Sequence, residues 1–288
     1  MTIVVASGKG GTGKTTVAVG LARSLGPGVA LLDCDVDAPN TSLFLAGHDP
    51  RPSSESRFSI MVPRVDPELC TACGACTDFC AYGALVLVRE QVLFFADLCH
   101  ACGGCARVCP AGAIEEVPHA IGTVATTRVG ELVHVCGELD VGQTLAPPLI
   151  RDVKRNGAGA AADTTIIDAS PGTTCPVVEA ARGADAGLLV TENTPFGLHD
   201  LELAAQVFAD LRVPAGIVIN RSGIGYDDES LIGEISERFG FPVLMRIPFD
   251  ESIARGYAEG VSIVDSAPGL RSGFVRLRDD LAALGAAS

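Results

Sequence analysis

The chain has 288 residues, of which 48% are hydrophobic and 19% charged, a composition that supports a packed core and excludes disorder as its main state. Its 35 acidic and 21 basic side chains give a formal net charge of −14, which argues against a nucleic-acid partner and against stable membrane association. No apolar run reaches the roughly 18 residues of a transmembrane helix, and the N-terminus lacks the basic region of a signal peptide. Eleven cysteines without such a signal predict metal or redox chemistry in a cytoplasmic protein rather than disulfides.

Strands and helices alternate at both ends of the chain. The first predicted elements are a strand at Thr2–Ser7, a helix at Lys14–Leu25 and a strand at Val29–Asp33. Helices are predicted at Leu201–Leu211, with Asp200 as N-cap, and at 228–239. Buried strands are predicted at Thr164–Asp168, Ala186–Thr191, Ala215–Asn220 and Pro242–Ile247. This alternation predicts an α/β fold with a mostly parallel, doubly wound sheet.

A cysteine-rich segment interrupts the alternation between about Pro63 and Pro118. Eight of the eleven cysteines lie there, and residues 70–85 repeat at 99–114 with eight identities, a period of 29 residues. We therefore predict a discontinuous domain of residues 1–62 and 119–288, and a small α+β domain of residues 63–118 inserted into it. The α/β pattern is expected to resume near Gly122, and Pro52–Ser59 is predicted to be a linker into the insert.

The C-terminal stretch Leu270–Leu284 carries several arginines beside apolar residues. Asp279 and Asp280 interrupt its basic face. We therefore expect a helix docked on the core rather than a membrane-seeking amphipathic helix.

A glycine-rich sequence follows the first predicted strand and opens the first helix. It fits G-x-x-x-x-G-K-[ST], in which successive backbone N–H groups form a nest for phosphates at a helix N-terminus. Lys14 is predicted to bridge the β- and γ-phosphates, and the Thr15 hydroxyl is predicted to ligate Mg²⁺. The predicted phosphate-binding residues are Gly8, Lys9, Gly10, Gly11, Thr12, Gly13, Lys14, Thr15 and Thr16.

The early lysine of this loop, Lys9, makes it resemble the deviant Walker A motif of the MinD/ParA/Mrp ATPases and the nitrogenase iron protein. In that family the early lysine reaches the nucleotide of the other subunit. The resemblance therefore implies catalytic roles for Lys9 and Lys14 and a dimer, either of identical chains or with a paralogous ATPase. Asp33–Pro39 resembles the switch I segment of the family, which implies that Asp33 holds a Mg²⁺-bound water and that Asp35 orients the attacking water.

Three later segments extend this resemblance. Asp168–Gly172 resembles Walker B and switch II, which implies that Asp168 lies near Mg²⁺ and that the Gly172 N–H reaches the γ-phosphate. Asn220 and Arg221 resemble the adenine-reading segment, and the segment 248–250 resembles the loop that flanks the base. The resemblance thus implies that ATP and Mg²⁺ bind at a site completed by Gly172, Asn220, Arg221, Pro248 and Asp250.

The two cysteine runs both follow C-x₂-C-x₂-C-x₃-C, which resembles the bacterial dicluster ferredoxins. In that arrangement the fourth cysteine of each run binds the cluster of the other run. The resemblance implies one [4Fe–4S] cluster on Cys70, Cys73, Cys76 and Cys109, and a second on Cys80, Cys99, Cys102 and Cys105. Structural zinc stays open as an alternative, although it favours two C-x-x-C pairs with a longer spacer. Ala81 replaces the proline of the ferredoxin pattern, and His100 is expected to be a solvated loop residue.

Three cysteines lie outside the repeat, and Cys34 is predicted to be packed at a strand end. Cys175 follows Asp168 by seven residues, as the cluster-ligating cysteine of switch II does in the nitrogenase iron protein. Cys136 precedes a weakly helical stretch, Leu145–Lys154, as the other ligand of that protein opens a helix. This likeness implies a third [4Fe–4S] between two subunits on Cys136 and Cys175. Ordinary buried cysteines and transient metal binding stay open as alternatives.

Two functions are open for such a chain. In the first, an ATP-driven dimer switch gates electron transfer through the two clusters to a partner protein. In the second, as in Mrp-type carriers, the ATPase assembles or transfers an iron–sulfur or other metal cluster to a client protein. A positioning switch like MinD is disfavoured, because it needs no redox insert.

Overall fold

The computed structural model describes residues 1–45, 52–160, 162–224 and 229–287. Its strands are β1 (Thr2–Ala6), β2 (Val29–Cys34), β3 (Ser54–Val65), β4 (Leu85–Val88), β5 (Gln91–Phe94), β6 (Ile114–Val129), β7 (Leu132–Leu139), β8 (Thr164–Ala169), β9 (Ala186–Glu192), β10 (Ala215–Ser222) and β11 (Val243–Pro248). Its helices are α1 (Lys14–Leu25), α2 (Ala75–Phe79), α3 (Gly104–Val108), α4 (Ala146–Ala158), α5 (Cys175–Ala181), α6 (Pro195–Asp210), α7 (Ser230–Phe239), α8 (Glu251–Ala258), α9 (Ile263–Ser266) and α10 (Arg271–Ala287).

A nine-stranded sheet forms the centre, in the order β11-β10-β9-β1-β8-β2-β7-β6-β3. Neighbouring strands from β11 to β7 are parallel, whereas β6 is antiparallel to both β7 and β3. Ile3, Val4 and Val5 of β1 are fully buried, as expected for a strand covered on both faces. The predicted α/β class and mostly parallel sheet are confirmed.

Helices form an apolar layer on each face of the sheet. Helices α4, α5, α6 and α7 pack on one face, and α1, α9 and α10 pack on the other. Phe274, Leu277 and Leu281 are buried at helical spacing in α10, so the C-terminal stretch docks on the core as predicted. In the parts of the chain that the structure describes, no helix has both the length and the apolarity needed to cross a bilayer.

Two helices begin at residues other than the predicted ones. Helix α6 starts at Pro195, and the side chain of Thr194 caps it by accepting a hydrogen bond from the Gly197 N–H at 3.1 Å. Asp200 is therefore inside the helix rather than at its N-cap, and the proline favours the earlier start because its φ is preset for a first turn. Helix α7 starts at Ser230, and Asp228 of the predicted range lies outside the described residues.

The prediction of a linker at Pro52–Ser59 is wrong, because β3 begins at Ser54 and forms a continuous two-stranded ribbon with β6. They pair antiparallel from Ser54 opposite Thr126 to Val65 opposite Ile114. Strand β3 is at the edge of the sheet and its first residues are exposed, which explains why its polar sequence resembles a linker. The predicted borders after residues 62 and 118 fall inside this ribbon. Strand β6 pairs with β7 from Gly122 onward, where the α/β pattern is predicted to resume.

The segment between the two ribbon strands, where the insert is predicted, is itself two-fold repeated. Helices α2 and α3 lie at the same place in the two repeats, 29 residues apart. The left-handed backbone of Ala72 (φ 53°) recurs at Ala101 (φ 51°), and that of Gly74 (φ 81°) recurs at Gly103 (φ 68°). The sequence repeat is therefore also a repeat of backbone conformation, and the β4–β5 hairpin lies between its two halves.

Candidate nucleotide and cysteine sites

The phosphate loop connects β1 to α1. Gly11 and Gly13 have φ of 81° and 94°, a left-handed conformation that favours glycine. Helix α1 begins at Lys14, and Lys14 and Thr15 are both buried. The loop therefore has the strand–loop–helix geometry that the motif requires.

Two contacts brace this loop from outside. A Cβ atom at Gly8 would lie 2.0 Å from the backbone oxygen of Asp200, so α6 packs directly on the loop. The Asn220 side chain donates from Nδ2 to the Thr12 carbonyl at 2.7 Å, and its Oδ1 accepts the Arg221 N–H. Asn220 thus fixes the loop in addition to any contact with a base.

A cavity of about 470 Å³ extends from the phosphate loop toward α8. Of the predicted nucleotide residues, Gly8, Lys9, Thr12 and Gly172 do not line it; Lys9 is partly exposed outside it. The predicted residues that line it are Gly10, Gly11, Gly13, Lys14, Thr15, Thr16, Asp35, Asn220, Arg221, Pro248 and Asp250.

Part of the cavity wall was not predicted. Asn40 lines it directly after the switch I segment, Pro171 lines it from within the switch II segment, and Phe249 lies within the predicted 248–250 loop. Ile253 and Tyr257 face it from α8, one helical turn apart. The sequence analysis missed Ile253 and Tyr257, although their i, i+4 spacing could have indicated that they share one face of a helix. That helix begins after Asp250, which caps α8 by accepting the Ser252 N–H at 2.7 Å.

Asp33 organises the switch I segment. Its Oδ2 accepts the N–H groups of Asn40 and Thr41 at 3.0 and 2.9 Å, and the Thr41 hydroxyl at 2.7 Å. Burial raises the pKa of this carboxyl, and these hydrogen bonds oppose the increase. Asp33 therefore holds the far end of switch I against the end of β2.

Asp168 at the end of β8 has the features of a Mg²⁺ site. Its Oδ2 accepts the Thr15 hydroxyl at 2.7 Å. Its Oδ1 is buried and has no hydrogen-bond partner among the described residues. Burial, and then the charge of Asp33, raise the pKa of Asp168 to about 8. A divalent cation would partner the orphaned oxygen and offset the repulsion between the two carboxylates, so Thr15, Asp168 and Asp33 fit such a group.

Asp35 and Gly172 are the residues expected to act on the attacking water and on the γ-phosphate. Burial raises the pKa of Asp35 to about 6, and the Lys14 ammonium opposes this increase, which indicates that the two side chains lie near each other. The Gly172 N–H donates to the Ser7 carbonyl at 2.9 Å. That N–H is therefore engaged in this conformation, and switch II would have to move for it to make the expected contact with a γ-phosphate.

The cysteines of the repeat line two separate cavities. One is lined by Cys70, Cys73, Cys76 and Cys109. The other, wider at about 230 Å³, is lined by Cys80, Cys99, Cys102 and Cys105. Each cavity thus takes three cysteines from one run and the fourth from the other run, the partition that the ferredoxin resemblance implies.

Backbone N–H groups point at sulfur atoms in this region. The Ala113 N–H donates to Cys109 Sγ at 3.3 Å, and the Ala101 N–H donates to Cys99 Sγ at 3.4 Å. Such donors favour the thiolate form that an iron–sulfur cluster would require, whereas burial raises the pKa of the Cys99 thiol. Among the described residues, no group of three or more His, Cys, Asp or Glu side chains is placed to hold one metal ion. A cubane cluster binds its four thiolates to different iron atoms, so its ligands need not converge on one point.

The walls of the wider cavity include Phe79, Tyr82 and His100. The rings of Tyr82 and His100 are stacked with centroids 3.6 Å apart, and both side chains are exposed. His100 is therefore a solvated, stacked residue, as the sequence predicts.

The remaining cysteines lie in different settings. Cys34 is fully buried at the end of β2, as predicted. Cys136 is partly buried inside β7, opposite Asp33, and burial raises its pKa to about 12. It does not open a helix: α4 begins ten residues later, at Ala146, with Pro147 and Pro148 in its first turn. Cys175 is exposed at the first position of α5.

Comparison with known proteins identifies related sequences and folds. The model of the CobQ/CobB/MinD/ParA nucleotide binding domain matches residues 3–263. Two uncharacterised proteins of Methanocaldococcus jannaschii, MJ0579 and MJ0578, are each 30% identical to this chain, and each match covers 92% of this chain and 91% of the relative.

Solved structures share the fold over nearly the whole chain. The cell division ATPase MinD of Pyrococcus furiosus is 22% identical, with 98% of both chains covered and a TM-score of 0.58. The MinD protein of Pyrococcus horikoshii, solved with Mg-ADP, is 20% identical, with coverage of 97% and 96% and a TM-score of 0.56. A variant of Cyanothece McdA in complex with ATP is 18% identical, with coverage of 98% and 96% and a TM-score of 0.57.

Proposed function

We propose that this chain, which belongs to the CobQ/CobB/MinD/ParA nucleotide-binding family, is an ATPase whose dimer switch gates electron transfer to a partner protein. The family membership rests on the match over residues 3–263. The observation that supports electron transfer is the partition of eight cysteines between two cavities, each with ligands from both repeats. When bound there, two [4Fe–4S] clusters would supply one-electron transfer at low potential.

In this proposal the chain's own residues assemble the site for MgATP. The phosphate-loop N–H groups and Lys14 hold the phosphates, while Thr15, Asp168 and Asp33 surround the Mg²⁺ position. Asp35 orients the attacking water, and the partly exposed Lys9 reaches the nucleotide of a second subunit. The developing phosphate charge is then neutralised only in the closed dimer, which couples hydrolysis to closure.

The assignment of Asp35 is tested with a pair of neighbouring carboxylates. Asp35 lines the nucleotide cavity, whereas Asp37 is exposed outside it. We expect Asp35→Asn to bind MgATP and dimerise but to hydrolyse it roughly 100-fold more slowly or worse, as for loss of a catalytic acid–base group. Asp37→Asn should hydrolyse ATP at the wild-type rate. Wild-type turnover by Asp35→Asn would remove the proposed role.

The second proposed function, an Mrp-like ATPase that assembles or transfers a metal cluster, uses the same nucleotide site. The two functions differ in what ATP changes. If the ATPase gates electrons, MgATP alters the rate at which the reduced, iron-loaded protein is oxidised by an acceptor protein. If it is a carrier, MgATP alters the transfer of iron and sulfide to an apo-protein and leaves the oxidation rate unchanged. Anaerobic stopped-flow and transfer assays on one preparation therefore separate them.

Two relatives in one organism bear on the partner chain. MJ0579 and MJ0578 match this chain equally well, at 30% identity each. A pair of paralogues of this kind supports a heterodimer as an alternative to a homodimer. Mass measurement of the MgATP-bound complex isolated from the native cell distinguishes one kind of chain from two.

A further inference from the structure

Strand β7 contacts the nucleotide switch at two points. His134 Nε2 lies 2.8 Å from the Thr41 hydroxyl, which is 2.7 Å from Asp33 Oδ2. Farther along the strand, the Leu139 N–H donates to the Val36 carbonyl at 2.9 Å. Val36, in the middle of the switch I segment, and Thr41, two residues after it, are thus both tied to one strand.

The first contact has a defined direction. The Thr41 hydroxyl carries one hydrogen, and an ionised Asp33 accepts it. The bond between Thr41 and His134 then requires Nε2 to donate. Burial lowers the pKa of His134 to about 4, so at neutral pH the ring is neutral with its hydrogen on Nε2. His134 is buried at 3% exposure. Its position in β7 therefore fixes the orientation of the hydroxyl that holds Asp33.

The C-terminal end of β7 contacts the ribbon that carries the cysteines. The Asp140 N–H donates to the Ile121 carbonyl at 2.9 Å, and Asp140 forms an ion pair with Arg57 of β3. Ile121 is fully buried with Ile60 and Val62 in a small apolar cluster, which we call the junction cluster. Leu139, Leu145 and Cys99 all pack against the junction cluster. The cysteine set that contains Cys99 is therefore the one proximal to the ATPase sheet.

The residues between these contacts are closely packed. A Cβ atom at Gly137 would lie 2.9 Å from Val36 Cγ1 and 2.5 Å from Val153 Cγ2. A Cβ atom at Gly122 would lie 2.4 Å from the Glu138 carbonyl oxygen. Because close-packed elements move as units rather than deform, a shift of switch I displaces β7 and the junction cluster together.

We propose that β7 transmits the nucleotide state of switch I to the proximal cysteine site, with His134 and Leu139 as its positioning residues. This inference rests on the proposed function, and it specifies which cysteine set responds and through which side chains. Switch I is the two-state element, and the junction cluster is the contact through which it acts.

The test uses anaerobic, iron-loaded protein and the electron paramagnetic resonance spectra of its reduced form with and without MgADP. In the wild type we expect the signal of one cluster to change with MgADP and that of the other to stay constant. His134→Leu and Leu139→Ala should bind MgADP and keep full iron content but lose this change. His134→Gln retains a side-chain N–H donor and should restore it at least in part. Leu132→Ala removes an equal, buried side chain from the other end of β7, where it packs in the opposite apolar layer and not in the junction cluster, so it should respond like the wild type.

The outcomes separate this inference from the function on which it rests. A protein that takes up no iron on reconstitution would overturn the proposed electron transfer and this inference with it. A protein that binds iron and MgADP but shows no nucleotide-dependent spectrum would overturn the inference alone. A wild-type response in both His134→Leu and Leu139→Ala would also overturn it, because neither positioning residue would then be needed.

Discussion

The three lysines of the chain show how position decides the role of a side chain. Lys154 donates to the carbonyls of Glu179, Ala180 and Arg182, and so caps the C-terminal end of α5. Lys14 is buried at the start of α1 and lines the nucleotide cavity, whereas Lys9 is partly exposed outside that cavity. Lys9 and Lys14 therefore form a matched pair for mutation.

Lys14→Ala should abolish MgATP binding, because it removes the cation at the phosphates. Lys9→Ala should bind MgATP in the monomer and lose turnover, because in our proposal Lys9 acts on the nucleotide of the second subunit. Equilibrium binding of a fluorescent ATP analogue and phosphate release measure the two effects separately. Tight binding by Lys14→Ala would refute the assignment of the phosphate site.

His134 gives a prediction for stability against pH. Burial lowers its pKa to about 4, below the 6.5 of an exposed histidine, so the unfolded chain takes up the proton first as the pH falls. The contribution of His134 to the free energy of unfolding should therefore decrease from about pH 6.5 down to about pH 4, by about 2 kcal/mol at pH 5 relative to neutral pH.

His134→Leu should remove this part of the pH dependence. The raised pKa values of Asp33 and Asp168 act in the opposite sense, but they are shared by both proteins and cancel in the comparison. Urea unfolding at pH 5 and pH 7 gives the difference directly. If the free energy of unfolding changed by the same amount between pH 7 and pH 5 in wild type and variant, His134 would already be protonated in the folded state at pH 5.

At the scale of elements, the sequence was most informative where burial and local motifs act together. The predicted bounds of α1 are those of the structure, and the parallel strands differ by one or two residues at their ends. Strand β7 was not predicted although its sequence is apolar. It follows closely after the border that the cysteine repeat suggested, where no alternation of strands and helices marks it. The cysteine partition was implied by the ferredoxin resemblance, but its position beside β7 depends on a long-range pairing that no local pattern encodes.

The ribbon itself could not be inferred from composition. Strand β3 is polar at its exposed edge, and its register with β6 shifts between Phe58 and Ser59. The register of such a strand is set by pairing with its partner rather than by an alternation of apolar and polar residues in its own sequence. The same pairing brings Val65 and Ile114 together, so the two ends of the insert are adjacent in space.

This adjacency predicts that the insert can be excised. Replacing residues 66–113 with Asn-Gly should close β3 and β6 as a two-residue hairpin. We expect the shortened chain to fold, to bind MgATP and to contain no iron. It should be less stable than the full chain, because Cys99 and Ala101 no longer cover the junction cluster. Loss of MgATP binding in a folded, shortened chain would mean that the insert is part of the nucleotide site.

At the scale of the whole molecule, β7 lies between the switch I side of the nucleotide site, which it contacts at Thr41 and Val36, and the junction cluster beside the proximal cysteine set. The insert continues from the paired ends of β3 and β6, so in the proposed function it would contact the partner while the P-loop face forms the proposed dimer. In this proposal, ATP hydrolysis in the dimer and electron transfer to the partner would use different surfaces of one molecule. The third predicted cluster is not needed to connect them.

The iron content decides whether that third cluster exists. Two cubane clusters give about 8 iron and 8 sulfide per chain, and half of a bridging cluster would raise both to about 10. We expect about 8, because Cys136 lies within β7 beside Asp33 while Cys175 is exposed at the start of α5. Cys136→Ser and Cys175→Ser should leave the content unchanged, whereas Cys76→Ser should lower it. An iron content near 10 that falls in both Cys136→Ser and Cys175→Ser would instead establish a cluster bridging two subunits. Zinc in place of iron would refute both the two repeat clusters and the bridging cluster.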